Sequence, residues 1–321
     1  MTQADIIDAE VAADDTISFS RLGYERRRPT WDDADLADVA GSTVIVSGGT
    51  AGVGLGASTS LAALGAHVVM LGRSAERGEA AVREITAATG NENVEWVRLD
   101  LASLASVRAT AAELLERCPR IDVLINNAGG MWDTWETSAD GIEMSWATNV
   151  VGPYLLTELL LDRLAESAPA RIIEMTSGGA YSQRLTLGEL RGEEEAFDPK
   201  ATYSRTKRAQ IVLTELRGEA VADRGIVAHV THPGWTDSPG LRESGAMANF
   251  IRRFEADFRT PEQGADTAVW LAAAREPGRS TGLFWHDRRP RETHRTEATR
   301  ESEQDRLELI ELLRKVTGLA D

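Results

Sequence analysis

The stretch TYSRTKRAQ, residues 202–210, sets Lys207 four positions after Tyr203 in a chain that has almost stopped using lysine. Of its 35 basic residues only Lys200, Lys207 and Lys315 are lysines, so one at this spacing from a tyrosine is uncommon by composition alone. On a helix the spacing puts both side chains on one face, about 6 Å apart along the axis. A phenol of pKa about 10 exchanges protons poorly near neutrality, and an ammonium beside it favours the phenolate. Arginine would serve less well, being bulkier and spreading its charge over a fork. Taken alone, the pair reads equally well as the solvated face of an amphipathic helix.

A second set of residues suits a phosphate. In SGGTAGVG (47–54), Gly48, Gly52 and Gly54 follow an apolar run directly and precede a helix-length stretch. A glycine turn in that place lets the backbone approach a pyrophosphate and aims the free N–H groups of the helix start at its charge, which predicts a dinucleotide site. The next apolar run ends MLGRS (70–74), with Arg73 where a ribose-binding acid would select NAD. A guanidinium there meets the 2′-phosphate of NADP instead, so NADP(H) is the expected cofactor and NAD(H) the alternative.

These groups need a frame that brings them to one edge. Short apolar runs alternate with helix-length amphipathic stretches: TVIVS (43–47), HVVML (67–71), VEWVRL (94–99), DVLIN (122–126), RIIEMT (171–176) and IVAHVT (226–231). Their continuous hydrophobicity suits strands covered on both faces by helices. The alternation predicts a single α/β domain with a Rossmann-type doubly wound parallel sheet, and GLFWH (282–286) brings the strands to about seven. Residues 1–40 read as a polar, irregular N-terminal extension and residues 41–290 as the catalytic domain. Residues 291–321 form a C-terminal extension, in which SEQDRLELIELLRKVTG predicts a helix ending at Gly318. The acid-rich RGEEEAFDPK (191–200) reads as loop.

Composition narrows the partners. With 321 residues, 42% of them hydrophobic, the chain can fill a sizeable core. A net charge of −16 repels phosphate backbones and anionic headgroups, so neither nucleic acid nor membrane insertion is expected. The single cysteine, Cys118, excludes an intrachain disulfide and a multi-cysteine metal site, and it reads as a packed residue. The five histidines show no ligand spacing, so no metal is expected. MTQADIIDAEVAADD lacks the basic start and apolar run of a secretory signal, and no segment approaches eighteen apolar residues, which predicts a soluble, cytoplasmic protein.

Four further motifs complete a pattern: NNAG (126–129) after the fourth strand, Asn149 in WATNVVGPYLLT, Ser177 in EMTSGG, and the Tyr203/Lys207 pair. In this order, together with the glycine loop, they resemble the short-chain dehydrogenase/reductases over about residues 41–290. The downstream stretches HPGWTDSPG (232–240) and TPEQGADTAVWLA (260–272) resemble the subgroup around dehydrogenase/reductase member twelve. Two positions depart from the commonest family pattern, Thr176 for a second serine and Ser47 for a threonine; both keep a hydroxyl.

The resemblance implies a carbonyl–alcohol oxidoreductase working by hydride transfer. Tyr203 exchanges the proton, Ser177 polarises and orients the substrate oxygen, and Lys207 supports Tyr203 while donating to the nicotinamide ribose. Asn149 holds a water in the proton relay with Lys207. The implied cofactor contacts are Gly48, Gly52, Val53 and Gly54 at the pyrophosphate. Arg73, Ser74, Asp100, Leu101, Asn127, Ala128 and Gly129 flank the adenosine and the wall beside it, and Pro233, Gly234 and Thr236 meet the nicotinamide carboxamide. Residues 237–258 become a substrate lid. Its Leu241, Met247, Phe250, Ile251 and Phe254, with Met131, Trp132 and Trp235, could line a pocket for a lipophilic carbonyl or alcohol, or pack as an ordinary helix core. A homo-oligomer remains open. The alternative function is a catalytically silent cofactor-sensing or scaffold protein, which generally loses the tyrosine or the lysine kept here.

Overall fold

All seven apolar runs become strands, within a residue or two of where the sequence places them. The computed structural model describes residues 1–34 and 36–319. In chain order the elements are α1 (Gln3–Ala12), α2 (Asp15–Phe19), α3 (Arg21–Arg27), β1 (Thr43–Ser47), α4 (Gly52–Ala63), β2 (His67–Gly72), α5 (Ala75–Thr89), β3 (Val94–Arg98), α6 (Leu104–Arg117) and β4 (Val123–Asn126). There follow α7 (Met144–Trp146), α8 (Gly152–Glu166), β5 (Ala170–Met175), α9 (Pro199–Val221), β6 (Ile226–Thr231), α10 (Pro239–Glu243), α11 (Ala248–Phe254), α12 (Pro261–Ala273), β7 (Leu283–His286), β8 (Arg289–Arg291) and α13 (Glu303–Thr317).

The strands line up as β3-β2-β1-β4-β5-β6-β7-β8. All neighbours pair in parallel except β7 and β8. The strand order reverses between β1 and β4, which opens a crevice at their C-terminal ends, where Ser47 and Asn126 are partners in register. Alternation along β1 explains the unbroken apolar run. Val44 and Val46 join the cluster under α4 and α12, with Leu61 and Trp270, while Ile45 joins the opposite cluster with Leu114 of α6 and Leu160 of α8. Each such fully buried aliphatic side chain contributes about 1.5–3 kcal/mol.

Two expectations change. The described residues form an eight-stranded sheet, not a seven-stranded one, because Asp287 and Arg288 adopt left-handed φ of 52° and 56° and turn the chain back into β8. A two-residue turn of this kind is usually marked by Asn-Gly or Asp-Gly, and Pro290 is tolerated because β8 lies at the sheet edge. The described residues among 1–40 are largely helical rather than irregular. Thr2 and Asp5 form a reciprocal capping box at α1, Thr2 N donating to Asp5 Oδ2 at 2.8 Å and Asp5 N to Thr2 Oγ1 at 3.2 Å. Val11 is the fully buried residue of α1, with Ala4 and Ile7 half-buried on the same face, a stripe too narrow and too short to stand out in a polar segment. At the other end α13 buries Leu309 and Leu313 and stops at Gly318, φ 64°, as expected. Among the described residues no helix is long and apolar enough to cross a membrane.

Candidate active site

Helix α9 starts where Asp198 accepts from Ala201 N at 2.8 Å and Pro199 occupies the first helical position. Its first turns carry Tyr203 and Lys207 on one face, with Lys207 Nζ 5.6 Å from the centre of the tyrosine ring. Lys207 is buried and donates to Met175 O at 2.9 Å and Gln210 Oε1 at 3.1 Å. Thr176 Oγ1 donates to Lys207 O at 2.7 Å, so the threonine ties α9 to the end of β5. Ser177, one residue on, accepts from Gly179 N at 3.2 Å and lies near enough to the Tyr203 phenol to lower its pKa.

Burial lowers the Lys207 ammonium from its usual 10.5 to about 8, against the field of Glu174, which raises it. Burial pushes the Tyr203 phenol up, and Ser177 offsets part of that. An ammonium at this spacing is expected to favour the phenolate. Desolvation dominates the phenol instead, and the lysine lies over the ring with its hydrogens directed at a carbonyl and an amide. Glu174 is itself buried beside Asn126 Nδ2, 2.6 Å away, and Arg217; burial raises its carboxyl more than these neighbours lower it.

Asn149 sits in a π-helical turn, Ala147–Val151, between α7 and α8, a widening common at functional sites. Its Oδ1 accepts from Gly130 N at 2.8 Å, and its Nδ2 donates to Gly130 O at 2.9 Å and Thr206 Oγ1 at 3.0 Å. The main-chain carbonyl of Asn149 accepts from Gln210 Nε2 at 2.9 Å. Gln210 therefore bridges Lys207 and the main chain of Asn149 directly. Sequence reasoning missed this residue; the available signal was its place three positions after Lys207 on the same helix.

At the crevice, a side chain has no room. Gly48 and Gly52 have φ of 65° and 51°. A Cβ on Gly54 would lie 2.1 Å from Gly48 O, and one on Gly48 2.9 Å from Ala128 Cα. Ala51, the N-cap of α4, offers no side-chain acceptor, which leaves the first N–H groups of the helix, including that of Val53, for an anion. The Ser47 hydroxyl accepts from Asn127 N and Ala128 N, both at 3.1 Å, and Asn127 Nδ2 donates to Ser47 O at 3.0 Å, fastening β1 to the segment after β4. A Cβ on Gly129 would lie 3.1 Å from both Lys207 Nζ and Asn149 Oδ1, so glycine leaves the ammonium reachable. These features fit a dinucleotide laid across the crevice. Arg73 is exposed, next to Ser74, which caps α5 by accepting from Arg77 N at 3.3 Å. Asp100 Oδ1 accepts from Ala102 N at 3.1 Å, and Leu101 between them is buried.

Past β6, Thr236 Oγ1 donates to Pro233 O at 3.0 Å, and Gly234 takes φ of 73°. Residues 237–258 cross the mouth as α10 and α11, and Leu241, Met247, Phe250, Ile251 and Phe254 are all half-buried. Trp235 packs on Phe250 at 5.2 Å and on Phe254 at 4.6 Å between ring centres. Asp133 latches the facing loop to this lid, accepting from Ser244 Oγ at 3.1 Å, Gly245 N at 2.7 Å and Ala246 N at 3.0 Å. The acid-rich loop reaches the same area, Phe197 packing on Trp135 at 5.7 Å. A cavity of about 590 Å³ at the opposite edge of the sheet, between Asp38, Arg120 and Arg279, is remote from these groups. Cys118 is buried, with its thiol raised by burial.

This arrangement belongs to a dinucleotide-dependent oxidoreductase. Residues 42–249 match the model of the short chain dehydrogenase family, and the chain belongs to that family. Dehydrogenase/reductase SDR family member 12 of Bos taurus is 36% identical over 301 residues, 92% of this chain and 93% of the relative. Retinol dehydrogenase 11 of Mus musculus is 37% identical over 232 residues, 72% of this chain and 73% of the relative. The solved Pseudomonas aeruginosa RhlG/NADP active-site complex is 26% identical with a TM-score of 0.64, covering 78% of this chain and 96% of RhlG.

Proposed function

We propose that the protein is an NADP(H)-dependent oxidoreductase that interconverts a carbonyl and an alcohol on a lipophilic small molecule. The observation that carries this reading is the convergence of Ser177, Tyr203, Lys207 and Asn149 on the C-terminal edge of the sheet beside the glycine-lined crevice. A nicotinamide dinucleotide bound in that crevice would supply or accept the hydride. Tyr203, kept protonated by its burial, gives a proton to a carbonyl oxygen in reduction and takes it back in oxidation. The Ser177 hydroxyl, near the same phenol, orients that oxygen. Lys207 is held at the tyrosine by Met175 O and, through Gln210, by Asn149 O.

Arg73 at the end of β2 supports NADP(H), as does the NADP of the RhlG complex. The lipophilic substrate class rests on the half-buried apolar lid and on a relative named for retinol. A homologous aldehyde or ketone series, followed by NADPH absorbance, tests both points. Each methylene that enters the pocket should add up to about 0.8 kcal/mol, so kcat/KM rises several-fold per carbon until the pocket is full. Activity flat with chain length, or higher for a polyhydroxylated carbonyl of similar size, would assign the lid residues to packing alone.

A further inference from the structure

Residues 1–40 lie outside the 42–249 family match, yet residues 18–20 are built into the backbone that follows β6. Trp235 N donates to Phe19 O at 2.7 Å. Arg259, at the far root of the lid, donates through Nη2 to Ser18 O at 2.8 Å and through Nε to Ser20 O at 3.1 Å. Arg259 also closes the lid, its N–H donating to Trp235 O at 2.7 Å. The Phe19 ring, 7% exposed, meets His232 edge-on at 4.5 Å and His286 at 5.3 Å.

Two glycines shape themselves to this segment. A Cβ on Gly178, the neighbour of Ser177, would stand 3.0 Å from Phe19 Cε2, and one on Gly234 would stand 2.6 Å from Phe19 O. The ring and carbonyl of Phe19 thus fill the space between the Ser177–Gly178 turn and the Pro233–Thr236 segment. Arg73 and Asp100 lie at the ends of β2 and β3, on the other side of the crevice from β6 and β7.

We propose that residues 17–20 of the N-terminal extension are a positioning element of the nicotinamide end of the active site, with Phe19 setting the distance between Ser177 and the backbone at Trp235. This rests on the functional reading above, which places the nicotinamide at that end. The extension acts on the half of the site that does chemistry and leaves the adenosine half untouched.

The test uses the full chain and its Phe19→Ala and Phe19→Leu variants, titrated with NADPH and separately with 2′,5′-ADP, which carries the adenosine half alone. Truncation of the brace should weaken NADPH about tenfold through lost preorganisation and leave 2′,5′-ADP unchanged, with Phe19→Leu recovering most of the loss. On an active substrate, kcat should fall by up to about 100-fold, the effect of displacing a catalytic group by an ångström. Equal affinities in the wild type and Phe19→Ala, or equal weakening of both ligands, overturns the proposal. Should Phe19→Ala fail to fold, hydrogen exchange of the wild type decides: NADPH must slow exchange in residues 17–20 as well as 233–236, and 2′,5′-ADP must not. Absence of that protection overturns the proposal. If the chain prefers NADH, the same comparison runs with NADH and ADP. A wild type that binds neither NADPH nor NADH instead removes the functional reading, and this inference with it.

Discussion

Lys207 Nζ stands 5.6 Å from the centre of the Tyr203 ring, with its hydrogens directed at Met175 O and Gln210 Oε1. The fold itself therefore fixes the lysine, and Ser177 is the neighbour that lowers the phenol's pKa. Tyr203→Phe should remove proton transfer, lowering kcat by about 10²–10⁴-fold, while NADPH affinity stays near that of the wild type. Lys207→Ala should lower both. Turnover by Tyr203→Phe at the wild-type rate, in the NADPH absorbance assay, would refute the assignment.

The pH dependence follows from Lys207. Its folded pKa of about 8 means that the ammonium is lost as pH rises through that value in the free enzyme, so kcat/KM should fall on the alkaline side there. Glu174 raises that pKa, so Glu174→Gln should move the alkaline limb to lower pH. Gln210→Leu removes an acceptor from the ammonium and should move it the same way. A limb that stays in place in both variants would show that Lys207 does not control it.

Much of the catalytic edge was legible in the sequence because its residues are tied to strand ends, and buried parallel strands announce themselves as apolar runs. Ser47, Ser177 and the Tyr203/Lys207 pair are each placed by such a strand or by the helix after it. Gln210 was not legible, since a glutamine inside a long helix reads as surface until α9 is seen to be buried along most of its length. The hairpin at Asp287 and Arg288 was hidden for a different reason: two non-glycine residues hold left-handed φ there, and the ion pairs that support them come from residues 28 and more than 200 positions away. The helices of the extension were hidden by their polarity, because their stability comes from docking rather than from an apolar face.

Cofactor choice turns on Arg73. It is exposed beside the capped start of α5, so its replacement by alanine should leave folding alone. NADPH binding should weaken by about 1–3 kcal/mol, the range for a charge-assisted hydrogen bond, and NADH binding should change much less. Equal losses for the two cofactors in fluorescence titrations would place the 2′-phosphate elsewhere.

Asp287 is the keystone of the extension's attachment. Its carboxylate accepts from Arg259 Nη1 at 2.6 Å, Arg259 Nη2 at 2.9 Å and Arg27 Nη1 at 2.8 Å, and all three residues are buried. Burial alone would raise the carboxyl, but Arg259, His286 and Arg27 hold it well below the usual carboxylate range. Asp287→Asn keeps the volume and tolerates the left-handed φ of 52°, so it isolates the charge. Arg259 then loses its counter-ion and Arg27 is left with Asp8 alone, at a cost of about 3–5 kcal/mol, and Tm should fall by about 4–7 °C. Arg27→Met should cost less, because Arg259 keeps both of its bonds to Asp287. The sign with pH is fixed by the depressed folded pKa: the contribution is fully present above the unfolded value near 3.8 and is lost as pH falls through the folded value. The gap between wild type and Asp287→Asn, measured by denaturant unfolding, should therefore be constant from pH 7 to about 5 and narrow in stronger acid. A gap that widens on acidification, or a variant as stable as wild type at pH 7, would mean that the three-residue cluster does not anchor the extension.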